Sequence, residues 1–154
     1  LTYDELLILS ESECLFVEEA HIPGYGVRLH QNRLAINQAL PTQAEKSCVL
    51  AEEIGHYCTT TGNILDQNDT MNRKQEYRAR LYGYNLRVGL IGIIKSYEAR
   101  CRNLHEMAEY LDVPEDYLIE VIDCYRSKYG QYIALDNYMI YFIPQLAVMR
   151  IDVL

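Results

Sequence analysis

What the sequence lacks rules out several classes of protein before any motif is read. No apolar run approaches the roughly 20 residues that a membrane-spanning helix needs. The charge-free stretch Tyr138 to Met149 is interrupted by Pro144, so no membrane partner is expected. The N-terminus carries Asp4 and Glu5 where an export signal would carry basic residues. Secretion is not expected, and the start at Leu1 suggests only a trimmed initiator methionine. The five cysteines, Cys14, Cys48, Cys58, Cys101 and Cys124, contain no C-x-x-C pair, and an odd number fits a disulfide framework poorly. Reduced thiols in a cytoplasmic protein are the expectation. Positive charge is scarce as well: 14 Lys and Arg against 22 Asp and Glu give a formal charge of -8. A phosphate backbone would be repelled, so no nucleic-acid partner is expected.

Internal repeats and low-complexity linkers are also missing, which turns attention to an ordinary core. The 154 residues are 49% hydrophobic and 23% charged, enough for one compact domain or a core with a small appendage. Residues 2 to 10 read as a short helix. Leu15 to Glu18, Tyr25 to Leu29 and Arg33 to Asn37 read as short strands divided by Pro23-Gly24 and His30-Gln31-Asn32, and predict a small antiparallel sheet. Thr42 with Glu45 forms a capping box that opens a helix running to about Thr60 and ending at Gly62. This helix is apolar nearly all round and should be buried. A second is expected from an Asn72 cap, with Gln75 at its third position, to about Val88. Helical pieces follow at Leu90 to Tyr97, Leu104 to Leu111 and Glu115 to Tyr129, the second capped by Asn103 and the last stopped by Gly130. A hairpin turning at Asp136-Asn137 and a strand-like Leu146 to Ile151 close the chain. The expectation is α+β: residues 1–88 as a core and 89–154 as a helical subdomain with a C-terminal hairpin, packed as one unit.

On the buried helix, Glu52, Glu53 and His56 are the only strongly polar group between Val49 and Tyr57. Residues four apart share a helix face, so Glu52 and His56 project together while Glu53 sits about 100° round. The spacing matches metal sites in which ligands at i and i+4 hold an ion and the residue after the first ligand acts as general base on water. Here the run is E-E-x-x-H rather than H-E-x-x-H, and a core histidine beside solvated glutamates would produce the same letters. Cys48, four residues before Glu52, can be read as a further ligand, but a buried thiol packing as a small hydrophobe is the better reading.

Cys48-Val49-Leu50-Ala51-Glu52-Glu53-Ile54-Gly55-His56-Tyr57, followed some twenty residues on by Glu76-Tyr77-Arg78-Ala79 and Tyr82-Gly83, resembles the ImmA/IrrE metallopeptidase family. The likeness covers residues 33 to 88, and beyond them only the helical outline matches. It implies a zincin-like core of a small sheet and two site-bearing helices. It also implies Glu52, His56 and Glu76 as ligands of Zn²⁺, Glu53 as the catalytic glutamate, and the strand Arg33 to Asn37 as a substrate-pairing edge. The implied activity is that of an endopeptidase cleaving a helix-turn-helix repressor of a phage or mobile element. Glu52 departs from the pattern, which has histidine there. A second carboxylate lowers the net charge around a bound ion and favours harder ions such as Mn²⁺. A catalytically weak or inactive module that binds a regulatory protein is therefore the alternative.

Leu104 to Leu118 resembles a helix-turn-helix, with the hairpin placed like a wing. Between Gly89 and Tyr129, however, eight acids outnumber five bases, and the would-be recognition helix starts Glu115-Asp116. Protein docking or a purely structural role is the expectation for this region.

Overall fold

Thr2 opens α1 (Tyr3–Ser12) by accepting from the Glu5 backbone N–H, and the Glu5 carboxylate accepts from Thr2 N–H at 2.7 Å, a complete capping box. The computed structural model to which this helix belongs describes residues 1–23, 27–60 and 69–152. Thr42 caps α2 (Gln43–Thr59) in the same way, its Oγ1 accepting from Glu45 N–H at 3.1 Å. The expected stop at Gly62 falls outside the described residues. The next helix, α3 (Asp69–Arg87), starts three residues before the expected Asn72 cap, so Asn72 lies inside it. Neither glycine nor proline occurs in Asp69-Thr70-Met71, so the sequence does not oppose the earlier start.

Between α1 and α2 run β1 (Phe16–Ala20), β2 (Val27–His30) and β3 (Arg33–Asn37), in the spatial order β1-β3-β2. The sheet is mixed, not antiparallel as expected: β3 pairs antiparallel with β2 and parallel with β1, Val17 opposite Leu34 and Glu19 opposite Ile36. β3 is therefore central, and the expectation that it offers a free edge to a substrate is overturned. The physical reason is burial. Leu34 and Ile36 are fully buried, whereas Phe16 on β1 is 60% exposed, so the most apolar strand takes the middle and leaves the edges to its neighbours.

The described residues form two compact units, Leu1–Arg87 and Val88–Leu154. The core of the first joins Leu6 of α1, Leu15, Leu34 and Ile36 of β3, and Leu50, Ala51 and Ile54 of α2. Against this core α2 and α3 meet backbone to backbone. A Cβ on Gly55 would collide with the Ala79 carbonyl oxygen, and one on Gly83 would come within 2.9 Å of Ala51 O. Small residues on both helices let the axes approach this closely. Arg87, buried at the end of α3, fixes their register, with Nε donating to Ser47 Oγ at 2.7 Å and Nη1 to Leu1 O at 3.0 Å.

The second unit holds α4 (Gly89–Glu98), α5 (Leu104–Leu111) and α6 (Glu115–Tyr129), then an antiparallel meander of β4 (Tyr132–Leu135), β5 (Tyr138–Tyr141) and β6 (Ala147–Arg150). Asn103 Oδ1 accepts from Glu106 N–H at 2.9 Å to cap α5, and Gly130 ends α6 at φ 76°, a conformation glycine adopts without strain. The expected hairpin turns at Asp136-Asn137 and gains β6 as a third strand. Ile93, Leu118, Val121, Tyr125, Ile140 and Phe142 are fully buried here. The chain is thus α+β with two small three-stranded sheets. Among the described residues no helix is long and apolar enough to cross a membrane.

Candidate metal centre

The close approach of α2 and α3 decides what their polar residues can do together. Glu52 and His56 leave α2 one turn apart, and Glu76 leaves α3 opposite them. His56 Nε2 lies 3.9 Å from Glu52 Oε1 and 3.5 Å from Glu76 Oε2. One ligand atom from each of the three falls within 4.8 Å of the others, so the group can hold a metal ion. This is the convergence expected from the sequence. The side chains of Glu52, His56 and Glu76 are 41%, 29% and 43% exposed, so solvent reaches all three.

The charges at the site act on one another. His56 is raised above the ordinary imidazole range, first by its pairing with Glu52 and then by the fields of Glu76 and Glu53, while partial burial opposes the rise. At 3.9 Å the pairing with Glu52 is an ionic attraction, too long for a good hydrogen bond. Glu52 is correspondingly lowered by His56, against the effect of its own burial and with help from Arg80. Glu53 moves the other way. Burial lifts its carboxyl, the charges of Glu52 and Glu76 add to the lift, and His56 opposes it. Glu53 therefore feels the charges of all three expected ligands.

Two participants escaped the sequence reading. Arg80 Nε donates to Glu76 Oε1 at 2.8 Å and stands 3.7 Å from Glu52 Oε1. Its signal was available in the Glu76/Arg80 spacing of i, i+4, which pairs opposite charges on a helix face. Gly55, inside the motif, is one of the points at which α3 touches α2; a lone glycine in a helix gives only a weak hint of such a contact. Cys48 is buried and is not part of the cluster. His105 is exposed beside Glu109 and Glu115 at 3.2 and 3.3 Å. The second unit has a cavity of about 500 Å³ lined by Ile93, Met107, Ile122 and Val148 among others. The described residues place no second group of potential metal ligands there. In comparisons with family models, with curated proteins and with solved structures, nothing matches this chain.

Proposed function

We propose that this chain is a metallo-endopeptidase-like protein of the ImmA/IrrE kind, with a zincin-like first unit in which Glu52, His56 and Glu76 hold Zn²⁺ and Glu53 is the general base. The observation that carries the reading is the convergence of those three side chains from two helices, with half-buried Glu53 beside them. The donor set fits: one imidazole nitrogen and two carboxylates suit a borderline ion such as zinc, and suit Mn²⁺ as well. A bound dication would supply Lewis-acid activation of water. The protein's own contribution is a base of raised affinity for protons. Burial makes Glu53 a stronger base than a solvated glutamate, as proton abstraction near neutral pH requires.

The resemblance points to a protein substrate, a helix-turn-helix repressor of a phage or mobile element. The acidic balance of Gly89 to Tyr129 also favours a protein partner over a nucleic acid. Five cysteines outside any disulfide suit a cytoplasmic setting. Glu52 favours a second reading, in which the fold survives as a binding module for a regulatory protein with little or no catalysis.

Metal titration separates the two. Zn²⁺ or Mn²⁺ at a hundredfold excess over its dissociation constant should stabilise the fold by about 2.7 kcal/mol, raising the melting temperature on the order of 5–10 °C for a chain of this size. Glu53→Gln should keep that rise and abolish cleavage of a repressor encoded beside the gene, while Glu52→His should increase cleavage. If neither ion moves the melting point and Glu52→His cleaves nothing, the peptidase reading is wrong and the binding module takes its place.

A further inference from the structure

Arg80 stands one turn beyond Glu76 on α3 and reaches two carboxylates of the site. Its Nε donates to Oε1 of Glu76 at 2.8 Å, while Oε2 of the same carboxylate is the oxygen that faces His56 Nε2, at 3.5 Å. Glu76 thus divides its two oxygens between a guanidinium and an imidazole. Glu52 closes the ring, with Oε1 3.9 Å from His56 Nε2 and 3.7 Å from Arg80 Nε.

We propose that Arg80 is a positioning residue for the metal centre, aiming Oε2 of Glu76 at the ion and holding Glu52 beside it. The inference rests on the reading of Glu52, His56 and Glu76 as ligands. Two carboxylates that share a small volume repel each other, and a glutamate has several rotatable bonds through which to escape. A cation hydrogen-bonded to one and paired with the other keeps both in place before any ion arrives, so less order must be imposed on binding. Arg80 does this without occupying the Glu76 oxygen that a metal would use.

The opposing effect is the repulsion between Arg80 and a bound dication. Arg80 is 54% exposed, so water and salt screen that repulsion, whereas the hydrogen bond to Glu76 is direct. Positioning should win. The two effects predict opposite signs when Arg80 is removed, which makes the question decidable.

Calorimetric titration of the full-length, metal-free chain with zinc chloride, and separately with manganese chloride, provides the test. Arg80→Met keeps the aliphatic stem and loses the donor and the charge; it should weaken metal binding by about tenfold or more, as loss of a partner behind a ligand commonly does. Arg80→Lys still donates toward Oε1 and should recover most of the affinity. The metal-free melting temperature should barely change in either variant, because exposed ion pairs contribute little to folding. Should Arg80→Met misfold, Arg80→Leu, which likewise has neither donor nor charge, replaces it with the same expected loss. Equal or tighter binding by Arg80→Met, or an Arg80→Lys no better than Arg80→Met, overturns the proposal and leaves the ligand reading standing. A wild-type chain that binds neither ion overturns both.

Discussion

Two neutral histidines and one carboxylate would leave a bound dication with a net positive charge, whereas Glu52, His56 and Glu76 together cancel it. The pull on the electrons of a nearby water weakens accordingly. Arg80, 3.7 Å from Glu52, returns one positive charge to the neighbourhood, so the position that carries glutamate where H-E-x-x-H has its first histidine has a cation beside it. A second charged group with a measurable consequence lies away from the site. Glu19 accepts from Lys46 Nζ at 3.0 Å and from Tyr3 OH at 2.9 Å, and these bonds hold its carboxyl below the ordinary range. A depressed folded-state pKa contributes stability above the unfolded value of about 4.3, and that contribution is lost as pH falls toward the lower folded value. Glu19→Gln should therefore lower the denaturant midpoint at pH 7 but leave it little changed at pH 3. A variant that loses the same amount at both pH values would show that the bonds act through packing rather than charge. At this scale Glu52 and His56 were legible as a pair from their i, i+4 spacing on one helix face, whereas Glu76, on the other helix, came only from the resemblance. Arg80 was passed over although its i, i+4 spacing from Glu76 was readable; only its approach to Glu52, a residue of the other helix, depended on the fold.

Between elements, the contact of α2 with α3 matters most, since it sets how far Glu76 stands from His56. Gly55 is where a side chain would strike the backbone of α3, and a carbonyl oxygen cannot turn aside as a flexible side chain can. Gly55→Ala should force the helices apart, destabilise the fold by about 1–3 kcal/mol as overpacking does, and weaken metal binding. Gly92 in α4 supplies the contrast. A Cβ there would meet Leu111 Cδ2 at 3.3 Å, a side-chain tip able to shift, so Gly92→Ala should cost little and gain helix propensity. Denaturant unfolding and metal titration of both variants read these outcomes; a Gly55→Ala that folds and binds like wild type would remove the close contact as the device that assembles the site. The helices themselves were largely readable: Thr42, Asn103 and Gly130 set boundaries through bonds and dihedrals that depend only on nearby residues. The sheet was not. Alternation tells which face a residue occupies but not which strand lies beside it, so the edge that the resemblance implied for β3 went unchecked, and the burial of Leu34 and Ile36 places it in the centre.

Each of the two units has its own buried cluster, Leu34, Ile36, Leu50 and Ile54 in the first and Leu118, Tyr125, Ile140 and Phe142 in the second, and all three candidate ligands belong to the first. An ion that binds only the folded first unit shifts the opening equilibrium of whatever segments must separate to release it. Opening of α2 from α3 destroys the ligand set, because Glu76 departs with α3. Opening of the β4-β5-β6 meander leaves it intact, since no ligand lies there. Native-state hydrogen exchange should accordingly show that added zinc slows exchange of α2 and α3 backbone amides, by up to the hundredfold that a hundredfold excess over the dissociation constant allows, and leaves amides of β5 and α6 within error of their metal-free rates. Equal slowing in both units would mean that they open together and that the ligand set is lost only when the whole chain unfolds. Slowing confined to β5 and α6 would place the ion in the second unit, and Glu52, His56 and Glu76 would then be an ordinary ion-pair cluster on two packed helices.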